Sequence, residues 1–364
     1  MTMQLQENWE RTKQRFINWW NHEGLVIANW YDCGTGAERF TAPDPGKAES
    51  WEQRHSDIKY RMKLNLHNLS KGLFLGESLP VFDTMMGPGN LAAMLGAEPG
   101  FSSTVWFHPC WNEVENLDAL PEIKLDRTNR WFQLALQQAR RAAEKQHLGY
   151  AVGLPDLVEN IDILSSLRGN QTLLLDMYDN PEWVERKVKE INQAWFEVYD
   201  ALYDICKLED CSSVFTAFQV WGPGKVAKVQ CDACAMFGPD MFERFVVPGL
   251  KEQCEWLDYS IYHLDGHECI RHLDLLLEIK ALDAIEWTPD PNVPKGGDPY
   301  WYPMYKKIKE AGKSVQAIGI APDQVKPLLD AIGPEGVYIM PAGGSEEIFR
   351  QILDIAAPYY KQCD

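Results

Sequence analysis

The densest group of chemically capable side chains in this sequence is the segment Tyr-His-Leu-Asp-Gly-His-Glu-Cys at residues 262–269. His263 and Asp265 are two residues apart, and side chains two apart on a β-strand point to the same face. Because an unpaired carboxylate is costly to bury, this spacing predicts a functional pair inside the fold. Such a pair can act as acid and base, hold a substrate hydroxyl or bind a metal ion. A hydrogen-bonded pair that only anchors the following loop is the structural alternative.

Polar and aromatic residues also end other short apolar runs. Asp83 directly follows one of these runs and is a further candidate catalytic acid. Tryptophan rings at strand ends are typical of a flat apolar pocket for a ring-bearing ligand, with core burial as the alternative for each ring. The candidate substrate-binding residues are Trp30, Tyr31, Gln219, Trp221, Glu286 and Trp287.

The cysteines give weaker metal signals. Cys231 and Cys234 have the C-x-x-C spacing of half a zinc site or of a redox pair, but no second C-x-x-C accompanies them. Nine cysteines are an odd number in a long chain, which favours reduced thiols over a disulfide framework. Cys231, like Asp83, therefore stays as a candidate third ligand, beside His263 and Asp265, for a divalent metal such as zinc.

Eight short apolar, β-branched or aromatic runs alternate with segments of helical periodicity, such as residues 181–204. This alternation predicts βα units on parallel strands. Because the chain has eight runs and no Gly-x-Gly-x-x-Gly phosphate loop, we expect a closed (β/α)8 barrel rather than a doubly wound sheet. The runs are residues 25–31, 79–82, 149–154, 213–220, 260–264, 284–287, 314–318 and 337–340.

Domain organisation and charge narrow the functional classes. The sequence contains no interdomain linker, so residues 1–364 are expected to form a single barrel domain with an N-terminal helical extension over about residues 1–22. The 53 acidic and 35 basic side chains give a net charge of −18, which repels phosphate backbones and anionic lipid surfaces. Neither a signal-peptide pattern nor an apolar run of membrane-spanning length is present. We expect a soluble cytoplasmic protein with no nucleic-acid or membrane partner.

Several further motifs lie along the chain. They are residues 163–169 before a helical segment, Gln230-Cys231-Asp232 followed by residues 237–242, Val247-Pro248, residues 262–266 and residues 336–339. On these motifs the chain resembles the uroporphyrinogen decarboxylase superfamily. That superfamily includes the decarboxylase of haem synthesis and the methyltransferases that move methyl groups to or from corrinoid cofactors. The resemblance is weaker at the start of the chain, and it implies a single (β/α)8 barrel.

The decarboxylase branch of this superfamily fits the sequence less well. Its N-terminal signature supplies arginines for a polycarboxylate substrate, whereas residues 23–32 contain no arginine. By resemblance, Asp83 stands at the place of the family's Phe-Ser-Asp aspartate, and Ser165 replaces a family tyrosine. The resemblance therefore implies an acidic, arginine-poor entrance that repels polyanions.

The corrinoid methyltransferase branch is closer at the central motif. Its zinc-binding members carry His-x-Cys-Gly and a later cysteine at the last strand. Here His263-Leu264-Asp265-Gly266 and Met340-Pro341 stand at those places, so two thiolate ligands are missing. Because aspartate is a harder ligand than thiolate, a metal at this motif is expected to be bound differently or not at all.

The resemblance leads to one favoured function and two alternatives. We expect a corrinoid-dependent methyltransferase, a demethylase component that moves a methyl group from a small methoxylated aromatic or methylated amine to a partner corrinoid protein. Asp265, oriented by His263, would protonate the leaving heteroatom. The first alternative is a decarboxylase-like lyase acting on a small carboxylic acid, with Asp83 stabilising a developing cation. The second is a non-enzymatic barrel that binds a metabolite.

Overall fold

The computed structural model describes residue 5 and residues 8–363, with side chains described up to residue 360. The strands are numbered in chain order. They are β1 (Leu25–Ile27), β2 (Val81–Phe82), β3 (Glu98–Phe101), β4 (Val105–His108), β5 (Ala151–Val152), β6 (Ser213–Phe215), β7 (Val220–Gly222), β8 (Val226–Gln230), β9 (Tyr259–Asp265), β10 (Ala284–Thr288), β11 (Ser314–Ile320) and β12 (Val337–Pro341).

Helices fill most of the chain between these strands. The α-helices are α1 (Trp9–Trp20), α2 (Trp51–Ser56), α3 (Ile58–Lys71), α4 (Asn90–Met94), α5 (Arg130–Ala143), α6 (Asn160–Arg168), α7 (Asn170–Asp179), α8 (Pro181–Cys206), α9 (Pro239–Phe245), α10 (Val247–Trp256), α11 (Leu273–Leu277), α12 (Tyr302–Glu310), α13 (Pro322–Ile332) and α14 (Glu346–Cys363). Short 3-10 helices cover Leu117–Ala119, Gln146–Leu148, Ala217–Gln219, Asp232–Met236, His267–His272 and Pro299–Trp301. No helix in the described part of the chain is long and apolar enough to cross a membrane.

Parallel strands form the centre of the molecule. Six of them pair in the order β1-β12-β11-β10-β9-β8, and β2 pairs in parallel with β5. A bridge between Leu154 and Phe215 continues the β2-β5 pair toward β6, and the Glu77 N–H donates to the Ile27 carbonyl beside β1 at 2.9 Å. The expected α/β fold on parallel strands is confirmed. Within the described residues, however, the backbone ladders do not close into an uninterrupted barrel.

Burial explains why most strands are visible in the sequence. All five residues of β12, and all of β10 except its last, are buried. Strands of a parallel sheet that are covered on both faces appear as near-continuous apolar runs. Helix α8 likewise agrees with the periodicity over residues 181–204, because Trp183, Val188 and Trp195 share its buried side and Pro181 opens its first turn.

The apolar run at residues 213–220 is not one strand, which corrects the strand assignment. It forms an antiparallel hairpin of β6 and β7, whose turn places Phe218 and Gln219 at φ of 58° and 46°. No glycine or proline marks this turn in the sequence. The strand that joins the central sheet next is β8, which pairs with β9 and was missed because Lys228 and Gln230 interrupt its apolar pattern.

Helix α1 lies against the amino-terminal ends of the strands. The Trp19 indole N–H reaches the carbonyl of Val315 at the start of β11, at 3.4 Å, and the Trp19 ring meets the Tyr338 ring edge-on at 5.5 Å. This helix falls within the segment expected to form an N-terminal extension. Residues 1–4 and 6–7 of that segment lie outside the described residues.

A row of polar side chains crosses the inner face of the sheet. The strand register aligns them one after another, from β8 to β12, and all but His263 are buried. We call them the polar row. They are Gln230, His263, Glu286, Gln316 and Tyr338.

The polar row holds the left-handed turn of the β6-β7 hairpin. The Gln316 amide donates to the Phe218 carbonyl at 3.0 Å, and the Tyr338 hydroxyl donates to the Gln219 carbonyl at 3.1 Å. A left-handed conformation costs about 1–3 kcal/mol for a residue other than glycine and persists only where the surroundings enforce it. The buried hydrogen bonds from β11 and β12 supply that enforcement.

Replacing Tyr338 with Phe tests this role. The substitution removes the hydroxyl that bonds to the turn, so we expect the free energy of unfolding to fall by about 1 kcal/mol. Amide hydrogen exchange in residues 217–221 should also become faster. Urea denaturation and hydrogen–deuterium exchange with mass spectrometry measure the two effects.

Tyr150→Phe is the matched control. The Tyr150 hydroxyl donates to the Ala142 carbonyl at 2.7 Å, away from the turn. The control should lower stability by a similar amount and leave exchange at the turn unchanged. Equal exchange at the turn in both variants would contradict the role assigned to Tyr338.

Candidate active site

His263 is fixed by its neighbour Glu286. The two residues are register partners on β9 and β10, and the His263 Nδ1 N–H donates to a Glu286 carboxylate oxygen. The other Glu286 oxygen accepts the Thr288 hydroxyl at 2.7 Å, and Glu286 is fully buried. These bonds hold the imidazole so that Nε2 lies on the side of Asp265, 4.0 Å from its carboxylate.

The pair formed by His263 and the buried Glu286 retains a proton. Burial alone lowers the pKa of His263, but the adjacent Glu286 carboxylate raises it above its ordinary value. Burial raises the pKa of Glu286, and the facing His263 partly offsets this effect. The pair therefore holds one proton to a higher pH than a free histidine would.

Asp232 completes a three-residue cluster with His263 and Asp265. One ligand-type atom from each of these residues lies within 4.8 Å of the others. Asp162 fixes the loop that carries Asp232, because its carboxylate accepts the N–H groups of Asp232 and Ala233, each at 2.8 Å. The three residues come from the carboxyl ends of β8 and β9, where catalytic groups of (β/α)8 enzymes lie. We call them the acid–histidine cluster.

Negative charge accumulates in the acid–histidine cluster. Loss of hydration and the neighbouring Asp162 carboxylate raise the pKa of Asp232, although His263 and Lys228 oppose the shift. Loss of hydration also raises the pKa of Asp265, again opposed by His263. Two carboxyl groups that resist ionisation favour a proton or a cation between them.

The donor atoms of the cluster fit a divalent metal ion. One imidazole nitrogen and two carboxylates are a borderline-to-hard ligand set, and three protein ligands leave positions open for a substrate. Metal-binding histidines usually donate their second ring N–H to a carboxylate, as His263 does to Glu286. Cys231, expected as a third ligand, is replaced in this group by its neighbour Asp232.

Cys231 is placed away from the acid–histidine cluster. Its side chain is buried, with Sγ 3.7 Å from an Asp162 oxygen, and burial raises the pKa of the thiol to about 12. A thiol that stays protonated is a poor metal ligand, because the thiolate is the form that binds. In the Gln-Cys-Asp motif, the residue that the structure places beside His263 and Asp265 is Asp232, one position after Cys231.

A buried ion pair lies beneath the cluster. The sequence patterns do not predict it. The Lys228 ammonium is 2.8 Å from the Asp156 carboxylate, and both side chains are buried. Burial lowers the pKa of Lys228, but Asp156 and Glu159 together raise it above its usual value. The ammonium therefore stays charged, and it partly balances the acids above it.

A pocket of about 390 Å³ is linked to the acid–histidine cluster through the Phe218 ring, and none of the three cluster residues is among the described residues that line it. Trp30 and Tyr31 form part of its wall, with ring centroids 5.8 Å apart and planes inclined by 15°. The Phe218 ring contacts both Trp30, at 4.8 Å, and His263, at 4.7 Å. Phe218 thus connects the pocket to the cluster, and the left-handed turn described above sets its position.

Asp83 lines this pocket and is not part of the acid–histidine cluster. Its carboxylate accepts the Met85 N–H at 2.7 Å and lies 3.6 Å from the Arg61 guanidinium. Gln219 also lines the pocket, but its amide bonds to the main chain of Leu79 and Trp30. Gln219 therefore shapes the wall, and the three expected catalytic residues fall into two neighbouring groups.

Trp221 and Trp287 do not line the pocket, contrary to expectation. Because β7 runs back along β6, Trp221 lies beside Val214, and its ring meets Trp9 of α1 edge-on at 5.6 Å. Trp287 follows Glu286 on β10 and so faces the opposite side of the strand, where its ring meets Trp301 at 4.7 Å. Both tryptophans are buried in the core.

The fold is similar to that of a solved methyltransferase structure, although no similarity is found at the level of sequence families. No family model and no curated protein matches the sequence. A methyltransferase from Methanosarcina mazei superposes with a TM-score of 0.60 at 12% identity, over 96% of this chain and 99% of that chain. A B12-independent methionine synthase from Shewanella sp. W3-18-1, in complex with selenomethionine, gives a TM-score of 0.48 at 10% identity, over 93% and 95% of the two chains. The first similarity agrees with the fold that the sequence resemblance implied.

Metal binding tests the composition of the cluster. We expect purified protein to bind one equivalent of Mn²⁺ or Zn²⁺, and His263→Ala and Asp232→Asn to weaken that affinity at least tenfold. Glu286→Gln should weaken it about 10- to 100-fold, as is usual when the partner of a metal-binding histidine is removed. Isothermal titration calorimetry and elemental analysis provide the measurements.

Cys231→Ser is the control for this titration. It removes the thiol and leaves the three donor groups in place, so metal affinity should stay unchanged. Metal binding that survives Asp232→Asn and disappears in Cys231→Ser would refute the ligand set.

Proposed function

We propose that this protein transfers a methyl group from a small methylated compound to a corrinoid cofactor carried by a partner protein. The acid–histidine cluster, at the carboxyl ends of adjacent parallel strands and beside an aromatic pocket, is the observation that carries the proposal. The fold shared with a methyltransferase supports it. The nucleophile, a reduced cobalt, would be supplied by the partner's corrinoid.

Asp265 is the proposed proton donor in this reaction. When the bond between the methyl group and its oxygen or nitrogen breaks, the heteroatom keeps the electron pair and needs a proton. Asp265 is 45% exposed at the mouth, and loss of hydration raises the pKa of its carboxyl group. A carboxyl group with a raised pKa keeps its proton to a higher pH than a fully hydrated aspartic acid does, which favours delivery of that proton to the leaving atom.

His263 and Glu286 position this acid. The bond from His263 Nδ1 to Glu286 fixes the ring plane, so that Nε2 stays on the side of Asp265. After the proton has left, the raised pKa of His263 keeps a positive charge near the new Asp265 carboxylate. The attraction between them stabilises the charge that develops at Asp265.

A divalent metal is an alternative means of activating the leaving group. Asp232, His263 and Asp265 would hold it, and it would act as a Lewis acid on the leaving heteroatom. In that arrangement Glu286 keeps its role as the partner of His263 Nδ1. The chain's own residues would still bind and orient the substrate against Trp30.

A lyase acting on a small carboxylic acid is the second candidate function. The position of Arg61 beside Asp83 favours it, because an arginine can hold a substrate carboxylate while Asp83 faces the reacting carbon. Release of carbon dioxide without methyl transfer would distinguish this reaction from the first.

Asp265→Asn tests the proposed acid. The substitution preserves shape and removes acidity, so we expect turnover to fall at least a hundredfold with little change in thermal stability. Methylation of free reduced cobalamin, followed by its absorbance with methoxylated aromatics and methylated amines as donors, gives the rate.

Asp354→Asn is the control for the change in charge. Asp354 is exposed on α14, far along the chain from the cluster, and its substitution should leave turnover unchanged. Full activity in Asp265→Asn would remove Asp265 from the mechanism.

A further inference from the structure

The pocket beside the acid–histidine cluster contains basic side chains that the overall charge of the protein does not suggest. The chain has a net charge of −18, and the segment at residues 23–32 brings no arginine to the mouth. Arg54 from α2 and Arg61 from α3 nevertheless line the pocket. The two helices that follow the first strand thus supply the cations.

Arg61 is held in place in the wall of the pocket. The residue is only 6% exposed, and its Nη2 donates to the Asp83 carbonyl at 2.8 Å. Its Nε is buried without a hydrogen-bond partner in the described part of the chain. A guanidinium carries five N–H donors in a planar fork, so this arginine keeps donors that its protein contacts do not satisfy.

The acids of the pocket neutralise these cations only in part. Asp83 accepts the Met85 N–H at 2.7 Å, and Asp32 accepts the Gly34 N–H at 3.1 Å, so each carboxylate is partly engaged by its own turn. Asp83 is 3.6 Å from Arg61, beyond hydrogen-bond distance. Arg54 makes no ion pair with any residue that the structure describes.

His55, on α2, is a fixed part of the pocket wall. Its Nδ1 lies 2.9 Å from the Met86 carbonyl, and its Nε2 lies 3.0 Å from the Ser102 carbonyl. Both ring nitrogens are therefore directed at the main chain, and the charge of the pocket is set by Arg54 and Arg61.

We propose that this pocket binds an aromatic carboxylate, with the flat ring against Trp30 and Tyr31 and the carboxylate on Arg61 and Arg54. Stacked aromatic walls suit a planar ring, and the arginine fork matches the two oxygens of a carboxylate. The assignment rests on the proposed function and narrows its substrate class. The methyl donor is a methoxylated aromatic acid rather than a methylammonium compound.

Binding of two matched ligands tests the charge of the substrate. The probes are 3-methoxybenzoate and 3-methoxybenzamide, which share a shape and differ in charge. Isothermal titration calorimetry should give the benzoate an affinity at least tenfold higher, equivalent to about 1.4 kcal/mol. Phenyltrimethylammonium, a cationic ring, should bind more weakly than both.

Arginine variants locate the contact. Arg54→Gln should weaken benzoate binding at least threefold and leave benzamide binding unchanged, and Arg61→Lys should weaken benzoate binding further while retaining the charge beside Asp83. Arg141→Gln is the control for net charge, because Arg141 is exposed on α5 outside the pocket. It should change neither affinity.

The outcomes separate this inference from the proposed function. Equal affinities for benzoate and benzamide, equal losses in Arg54→Gln and Arg141→Gln, or no binding of either ring compound would each overturn the aromatic-carboxylate assignment. Methyl transfer from a methylated amine, measured in the cobalamin assay, would uphold the proposed function even then. Tight benzoate binding with no methyl transfer from any donor would retain the pocket and remove the proposed reaction.

Discussion

The left-handed turn at Phe218 and Gln219 is the constraint on which both the acid–histidine cluster and the adjoining pocket depend. Its backbone is strained, and buried hydrogen bonds from Gln316 and Tyr338 hold it in place. Through this turn Phe218 lies against His263, and the Gln219 amide reaches the main chain of Trp30. The inner face of the sheet thus positions both the candidate catalytic residues and the wall of the pocket.

The acid–histidine cluster and the adjoining pocket carry opposite charges. Acidic groups gather around His263, where Asp232 and Asp265 lie together, whereas Arg54 and Arg61 line the adjoining pocket. Such a division suits a substrate with one anionic end and one end that takes up a proton or meets a cation. The total charge of the chain therefore does not describe the local charge of this pocket.

Local sequence patterns predicted much of the sheet and part of the site. Buried strands appear as apolar runs, and the spacing of His263 and Asp265 correctly predicts side chains on one face. The sequence pattern did not predict the hairpin at residues 213–220, because its turn is held by hydrogen bonds from distant strands and contains no glycine or proline. Asp232 and Glu286 reach His263 only through long-range folding, which spacing along the chain does not encode. The same is true of the pocket that brings Arg54 and Arg61 together with Trp30.

A donor labelled at two carbons tests methyl transfer most directly. The measurement is a single turnover of 3-methoxybenzoate carrying ¹³C in both the methoxy and the carboxyl carbon, with reduced cobalamin as acceptor, followed by ¹³C NMR. We expect the methoxy label to move to the corrinoid while the carboxyl label stays on the ring. A methoxy label that remains on the ring while labelled carbon dioxide is released would contradict it.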